Sequence, residues 1–238
     1  MSYARIAHRG AAGTRPELTP AAFTRALELG VDMIELDVQL TGDGALVVLH
    51  DRLLGRTVAG SGPVRERTLA ELQALDAGTW FAARWVSERV PSLDQVLALT
   101  SGRAALNVEI KSPPQDWPAT AAALVSLLEQ RGRLAETIIS CFDMGALAAV
   151  RERAPAARLG VLWHSADLAP MFARAAALGA AAVHPLWSLV DAAVVVEARR
   201  RGLRLNVWTV NQPDAIAALA QLGVDGIISD FPERLLPA

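Results

Sequence analysis

Short apolar, β-branched runs alternate with Ala- and Leu-rich helical stretches from one end of this chain to the other. That alternation restricts the chain to a sheet whose successive strands are joined by helices. Strands are predicted at Arg5–His8, Met33–Val38, Leu46–His50, Ala105–Ile110, Thr137–Cys141, Arg158–Trp163, Ala181–His184, Leu203–Trp208 and Gly226–Ser229. Helices are predicted at Pro20–Leu29, Leu69–Leu75, Leu93–Thr100, Ala119–Gln130, Gly145–Ala154, Leu168–Leu178, Val190–Arg201 and Pro213–Leu222. Three helix exits read Leu-Gly, at 29–30, 178–179 and 222–223, each followed by a strand. Glycine there suits a left-handed helix cap, because it has no Cβ to clash.

Nine strands are one too many for an eight-stranded α/β barrel. The connection from Val38 to Ala45 is too short for a parallel crossover, which needs a dozen or more residues. It also contains Asp43-Gly44, a hairpin turn signal. Leu46–His50 is therefore expected to run antiparallel to Met33–Val38 as a hairpin arm, bringing His50 back roughly opposite Glu35. Eight parallel strands remain, and closing them into a barrel hides the sheet edges. An open doubly wound sheet is the alternative. No GxGxxG or GxxxxGK[ST] follows a strand, which argues against its nucleotide-binding versions.

The 238 residues suit one large α/β domain or two small ones. The repeat runs through the whole chain, so residues 1–238 read as a single barrel domain. The segment at about 51–91 breaks the repeat and reads as a small rim insertion. Its Trp80, Phe81 and Trp85 either pack the insertion or form a wall for substrate.

A formal net charge of −2, with 23 basic and 25 acidic residues well mixed, argues against nucleic acid as a partner. Arg199-Arg200-Arg201 reads as a solvated run at a helix end. No apolar run reaches the 18 or more residues of a membrane span. The N-terminus lacks the apolar stretch of a signal peptide, so the cytoplasm is the expected compartment. One cysteine, Cys141, excludes an internal disulfide and every Cys-based zinc site. The oligomeric state is not legible.

Charged residues inside barrel strands need a reason, since both faces of such strands are covered. Glu35 and Asp37 stand two apart, hence on one face, as do Asn107, Glu109 and Lys111. Three carboxylates at one mouth make an oxygen-rich site suited to Mg²⁺ or Ca²⁺. The alternative is a set of buried salt bridges with Arg9 and Lys111, the one lysine of the chain. His8 and His50 end their strands, where barrel active sites lie. Two histidines beside three carboxylates point to acid–base work; zinc ligation by the two histidines is the competing role. The fork of Arg9 suits a pair of phosphate oxygens. His164 and His184 read as rim or core residues.

These residues sit in longer motifs. His8-Arg-Gly10, Pro16-Glu-Leu-Thr19, Ala22-Phe23, the run Gly30–Gly44, Val47-Val-Leu-His-Asp51 and Val108-Glu-Ile-Lys111 resemble the glycerophosphodiester phosphodiesterase family. Ser140-Cys-Phe-Asp143, Val207-Trp-Thr-Val-Asn211 and Gly223–Pro232 continue the likeness in the same order. The resemblance implies a TIM (β/α)8 barrel and metal-dependent cleavage of small glycerophosphodiesters to sn-glycerol 3-phosphate and an alcohol. It implies that Glu35, Asp37 and Glu109 hold a divalent metal, Mg²⁺ or Ca²⁺. It implies His8 and His50 as the acid–base pair, Arg9 and Lys111 as phosphate ligands, and Trp208 as an aromatic residue near the substrate. One departure stands out: the family usually has Asn after Pro-Glu, where this chain has Leu18. A barrel phosphodiesterase acting on lysophospholipids or phosphoinositides, and a non-catalytic binding barrel, are the competing readings.

Overall fold

The computed structural model describes residues 3–235. Eight parallel strands close into a barrel: β1 (Ala4–His8), β2 (Met33–Leu40), β4 (Ala105–Ile110), β5 (Thr137–Cys141), β6 (Arg158–Trp163), β7 (Ala182–Pro185), β8 (Arg204–Val207) and β9 (Gly226–Ser229). Closure comes from β1, which pairs in parallel with β2 on one edge and with β9 on the other.

The strand β3 (Leu46–Val48) is antiparallel to β2, with Val38 opposite Val48 and Leu40 opposite Leu46. Since β1 pairs only with Met33–Glu35, β3 takes over that edge of β2 once β1 has ended. The ladder stops two residues short of the expected His50; its last contact is the Leu49 N–H to the Asp37 carbonyl, 3.1 Å. The other boundaries move by only a residue or two: β7 gains Pro185, and β8 ends at Val207 rather than Trp208.

The outer ring is α1 (Pro20–Glu28), α3 (Leu93–Thr100), α4 (Trp117–Gln130), α5 (Met144–Arg153), α6 (Ala169–Leu178), α7 (Ala192–Arg200) and α8 (Pro213–Leu222), while α2 (Leu69–Ala74) lies in the 51–91 segment. Thr68 and Ser92 start α2 and α3 as capping boxes, each hydroxyl accepting from the third helical N–H, which satisfies donors a helix start leaves open. Gly30, Gly179 and Gly223 take φ of 65°, 57° and 83° at the three Leu-Gly exits, the left-handed region expected of them.

Alternation along β2 splits its residues between two environments. Ile34, Leu36 and Val38 belong to the large core between strands and helices, while Met33 faces the barrel axis with Ile6, Ile138, Ala182 and Ile228. These five plug the lower barrel, and burying each large aliphatic contributes about 1.5–3 kcal/mol. Glu35 and Asp37 therefore sit on an apolar floor. The 51–91 segment has a small core of its own, in which Val58, Val64, Leu72, Ala77 and Val90 pack on Val47 and Leu49 of the arm. No helix among the described residues is long and apolar enough to cross a membrane.

Candidate active site

The chain leaves β1 through a tight turn. Arg9 has φ 53° and Gly10 φ 79°, and a Cβ on Gly10 would sit 2.7 Å from the Ala22 backbone of α1. Only glycine allows both the angle and the approach. The turn points the Arg9 N–H at Glu35 Oε2, 3.1 Å away. It also brings the guanidinium back over the mouth, with Nη1 2.9 Å from Glu17 Oε1 and Nε 3.3 Å from Asp37 Oδ2.

Leu18, just ahead of α1, is tied back to this turn. Its φ is 58°, a region that Asn tolerates and Leu enters only under strain. Its N–H reaches the Arg9 carbonyl at 3.0 Å, and its side chain is buried in the main core. Asn at this position would suit the backbone angle, whereas Leu18 contributes packing.

A cavity of about 200 Å³ opens between the strand ends. His8, Arg9, Glu35, His50, Glu109, Lys111 and Trp208 line it, with Asn107, Phe142, Leu162, Thr209 and Ile228. Asp37 is too deep to line it, at 1 % exposed. The eight residues singled out from sequence therefore surround one place. Trp80, Phe81 and Trp85 do not line this cavity. Trp80 and Phe81 pack edge to face, and Arg15 and Arg84 lie over the Trp85 ring, so these rings pack the insertion.

One oxygen from each of Glu35, Asp37 and Glu109 lies within 4.8 Å of the other two. Lys111 Nζ approaches Glu109 at 2.5 Å and Asp37 at 3.5 Å. Fully ionised, the three carboxylates would outweigh the two cations in a buried place. Burial, then the Asp37 charge, pushes Glu109 up to about 8 and Glu35 up to about 7. Burial opposes the charge on Lys111, but Asp37 and Glu109 outweigh it and raise its pKa. Both Asp37 oxygens are buried with no hydrogen-bond partner; the contacts from Arg9 and Lys111 are ion pairs without hydrogen-bond alignment. A buried carboxylate is seldom left this way, and a divalent cation between the three acids is the occupant that would complete it. The donor set, all carboxylate oxygen, fits Mg²⁺ or Ca²⁺.

Each mouth histidine is held from behind by a carboxylate. His8 Nδ1 is 2.6 Å from Asp230 Oδ1, and His50 Nδ1 is 2.7 Å from Asp51 Oδ1. A carboxylate behind Nδ1 selects the tautomer that leaves Nε2 free toward the cavity. Burial works against the His8 charge, but the Asp230 hydrogen bond and Glu35 raise its pKa overall; burial lowers that of His50. Asp230 is held by Asn211 Nδ2 at 2.7 Å, and Asn211 Oδ1 accepts from the Asp230 N–H at 3.0 Å. Asp51 also pairs with Arg56, which reaches Glu17. Trp208 donates from Nε1 to the His184 carbonyl at 2.7 Å and meets Phe142 edge to face at 5.5 Å.

His184 is a core residue, fully buried with Nε2 3.2 Å from Asn206 Nδ2, and His164 packs on Phe142 at the rim. The roles of Asp230, Asn211, Glu17 and Arg56 were not read from sequence. Asp230 could have been found, because it immediately follows β9 and so falls at the mouth by the rule that flagged His8.

The family model described as "Glycerophosphoryl diester phosphodiesterase family" matches residues 8–234. A glycerophosphodiester phosphodiesterase from Caldanaerobacter subterraneus subsp. tengcongensis is 39% identical over 232 residues, 97% of this chain and 95% of that protein. A phosphodiesterase structure from Oleispira antarctica in complex with the product sn-glycerol-3-phosphate superposes with a TM-score of 0.91 at 31% identity, covering 97% of this chain and 94% of the other. A glycerophosphodiester phosphodiesterase structure from Agrobacterium tumefaciens gives 0.86 at 30% identity, over 99% of both chains.

Proposed function

Because this chain belongs to the glycerophosphoryl diester phosphodiesterase family, we propose that it hydrolyses glycerophosphodiesters to sn-glycerol 3-phosphate and an alcohol. The observation that carries the reading is the buried Asp37 carboxylate, without a hydrogen bond, between Glu35 and Glu109, beneath a cavity edged by two carboxylate-backed histidines. The sn-glycerol-3-phosphate held by the Oleispira antarctica relative supports the same product here. The catalytic unit is read as residues 1–238, with the segment at about 51–91 as its rim insertion.

Glu35, Asp37 and Glu109 would hold Mg²⁺ or Ca²⁺. Such a cation would supply charge neutralisation and Lewis-acid polarisation at the phosphate. His8 and His50 form the acid–base pair: one accepts the nucleophile's proton and the other protonates the departing alcohol. Arg9 and Lys111 stabilise charge on the phosphoryl oxygens, and Trp208 with Phe142 walls the apolar side. The cavity, about 200 Å³, is equivalent to roughly seven waters at ~30 Å³ each. That is room for the glycerol phosphate half of a diester.

The test is release of glycerol 3-phosphate from a panel of glycerophosphodiesters, with chelator and with each metal restored. No release from any ester refutes the reading. An acyl-chain substrate would ask for an apolar entrance, and the aromatic residues of the insertion, Trp80, Phe81 and Trp85, do not line the cavity.

A further inference from the structure

The catalytic cavity shares His50 and Lys111 with a second, wider groove of about 600 Å³ whose remaining walls are Asp51, Arg52, Leu53, Leu54 and Arg56. Three of its side chains, Arg52, Arg56 and Lys111, are cationic. Arg52 is fixed there by donating Nε to the Lys111 carbonyl at 2.8 Å. The one carboxylate, Asp51, is taken by His50 at 2.7 Å and by Arg56. No Phe, Tyr or Trp lines the groove, and its exposed apolar surface is Leu53, 62 % exposed.

We propose that this groove seats the leaving alcohol and selects uncharged or anionic alcohols over cationic ones such as choline or ethanolamine. The inference rests on the hydrolytic reading above and names its substrate class. In phosphoryl transfer the attacking and leaving oxygens lie on opposite sides of phosphorus. With the glycerol half in the cavity between the strand ends, the alcohol must extend toward an open side. The groove begins at His50, so an alcohol lying in it presents its bridging oxygen to one member of the proton-transfer pair. A quaternary ammonium is recognised by aromatic faces or by a free carboxylate. This groove offers no Phe, Tyr or Trp face and no free carboxylate. Arg56 is spent on Asp51 and Glu17, and Lys111 on Glu109 and Asp37, so Arg52, which donates only to carbonyls, supplies the charge that repels a cation.

The experiment compares kcat/KM for glycerophosphoglycerol and glycerophosphocholine, in the parent and in Leu53→Glu, at low and high salt. Each unit charge about 8 Å away in a water-filled groove changes the ratio roughly two- to threefold. With one uncompensated charge, the parent is therefore expected to favour the glycerol ester about two- to threefold. Leu53→Glu places a carboxylate in the groove without touching a residue of the site, and should shift the ratio about two- to threefold toward the choline ester, mainly through KM. High salt should narrow it in the parent as well. Equal or better turnover of the choline ester by the parent, or a preference unmoved by Leu53→Glu, overturns the assignment. Glycerol 3-phosphate from neither ester would instead strike the hydrolytic reading, and this one with it.

Discussion

The His8 ring is held between two carboxylates: Nδ1 lies 2.6 Å from Oδ1 of Asp230, and Nε2 faces Glu35 Oε2 at 3.8 Å. The first contact fixes the ring, and the second directs its free nitrogen toward the acidic cluster. His50 has the same backing from Asp51, its neighbour in sequence, whereas Asp230 arrives from the other side of the barrel seam.

Asp230→Asn tests that backing. An amide can donate to Nδ1 and so hold the wrong tautomer, as when the Asp of a catalytic triad is made Asn. We expect kcat to fall roughly 10²–10⁴-fold with KM nearly unchanged. Metal affinity, measured by calorimetry, should stay at the parent value. A loss of metal binding would show that Asp230 supports the acidic cluster instead.

His8→Ala and His50→Ala should each lower kcat about 10²–10⁴-fold, the range general acid–base catalysis supplies. A p-nitrophenyl ester separates the roles, because its leaving group hardly needs a proton. The variant lacking the general acid should recover much of its rate on that ester, and the other should not. If both variants turn over normally but lose metal, the histidines are ligands and the acid–base reading is wrong.

Chelation should abolish activity, and Mg²⁺ or Ca²⁺ should restore it. Glu35 and Glu109 are pushed up to about 7 and about 8, so at pH 7 the cluster carries protons that a cation must displace. Metal binding should therefore release on the order of one proton at pH 7 and almost none at pH 9. Affinity should weaken as pH falls below 7. Calorimetry in buffers of different ionisation enthalpy reads the release. Full activity in excess chelator, or restoration by Zn²⁺ alone, would remove the hard-cation assignment.

The barrel was readable because its signals are local: β-branched runs, Leu-Gly exits, and a turn too short for a crossover. The carboxylates were readable for the same reason, since residues two apart in a strand must share a face. What escaped depends on distant partners. Nothing near Asp230 announces His8, and nothing near Glu17 announces Arg9 and Arg56. The left-handed backbone at Leu18 also runs against the residue's own preference, so no propensity argument finds it. Trp80, Phe81 and Trp85 show the opposite limit: aromatic residues beside a site look alike in sequence whether they face the substrate or pack on each other.

His184 gives a stability test away from the chemistry. Burial holds its pKa down at about 4, against an ordinary 6.5. Above pH 6.5 it is neutral in both folded and unfolded chains and contributes no pH dependence. Between 6.5 and 4 the unfolded chain binds the proton and the folded one does not, so stability falls as the pH falls. The full loss is about 3 kcal/mol. Urea midpoints of the parent should decline from pH 7 to pH 5 more steeply than those of His184→Gln. Parallel pH slopes for the two proteins would refute this.

Strand β1 is hydrogen-bonded on both edges, to β2 and to β9, and this has a consequence during synthesis. At ~5–20 residues per second, a ribosome needs roughly 10–50 s to reach β9 after starting the chain. Until then the edge of β1 that awaits β9 is unpaired and open to other chains, and His8 has no Asp230 behind it. A nascent chain that stops before Gly226 should be both aggregation-prone and catalytically silent, even though it already carries His8, Glu35, Asp37, His50, Glu109 and Lys111.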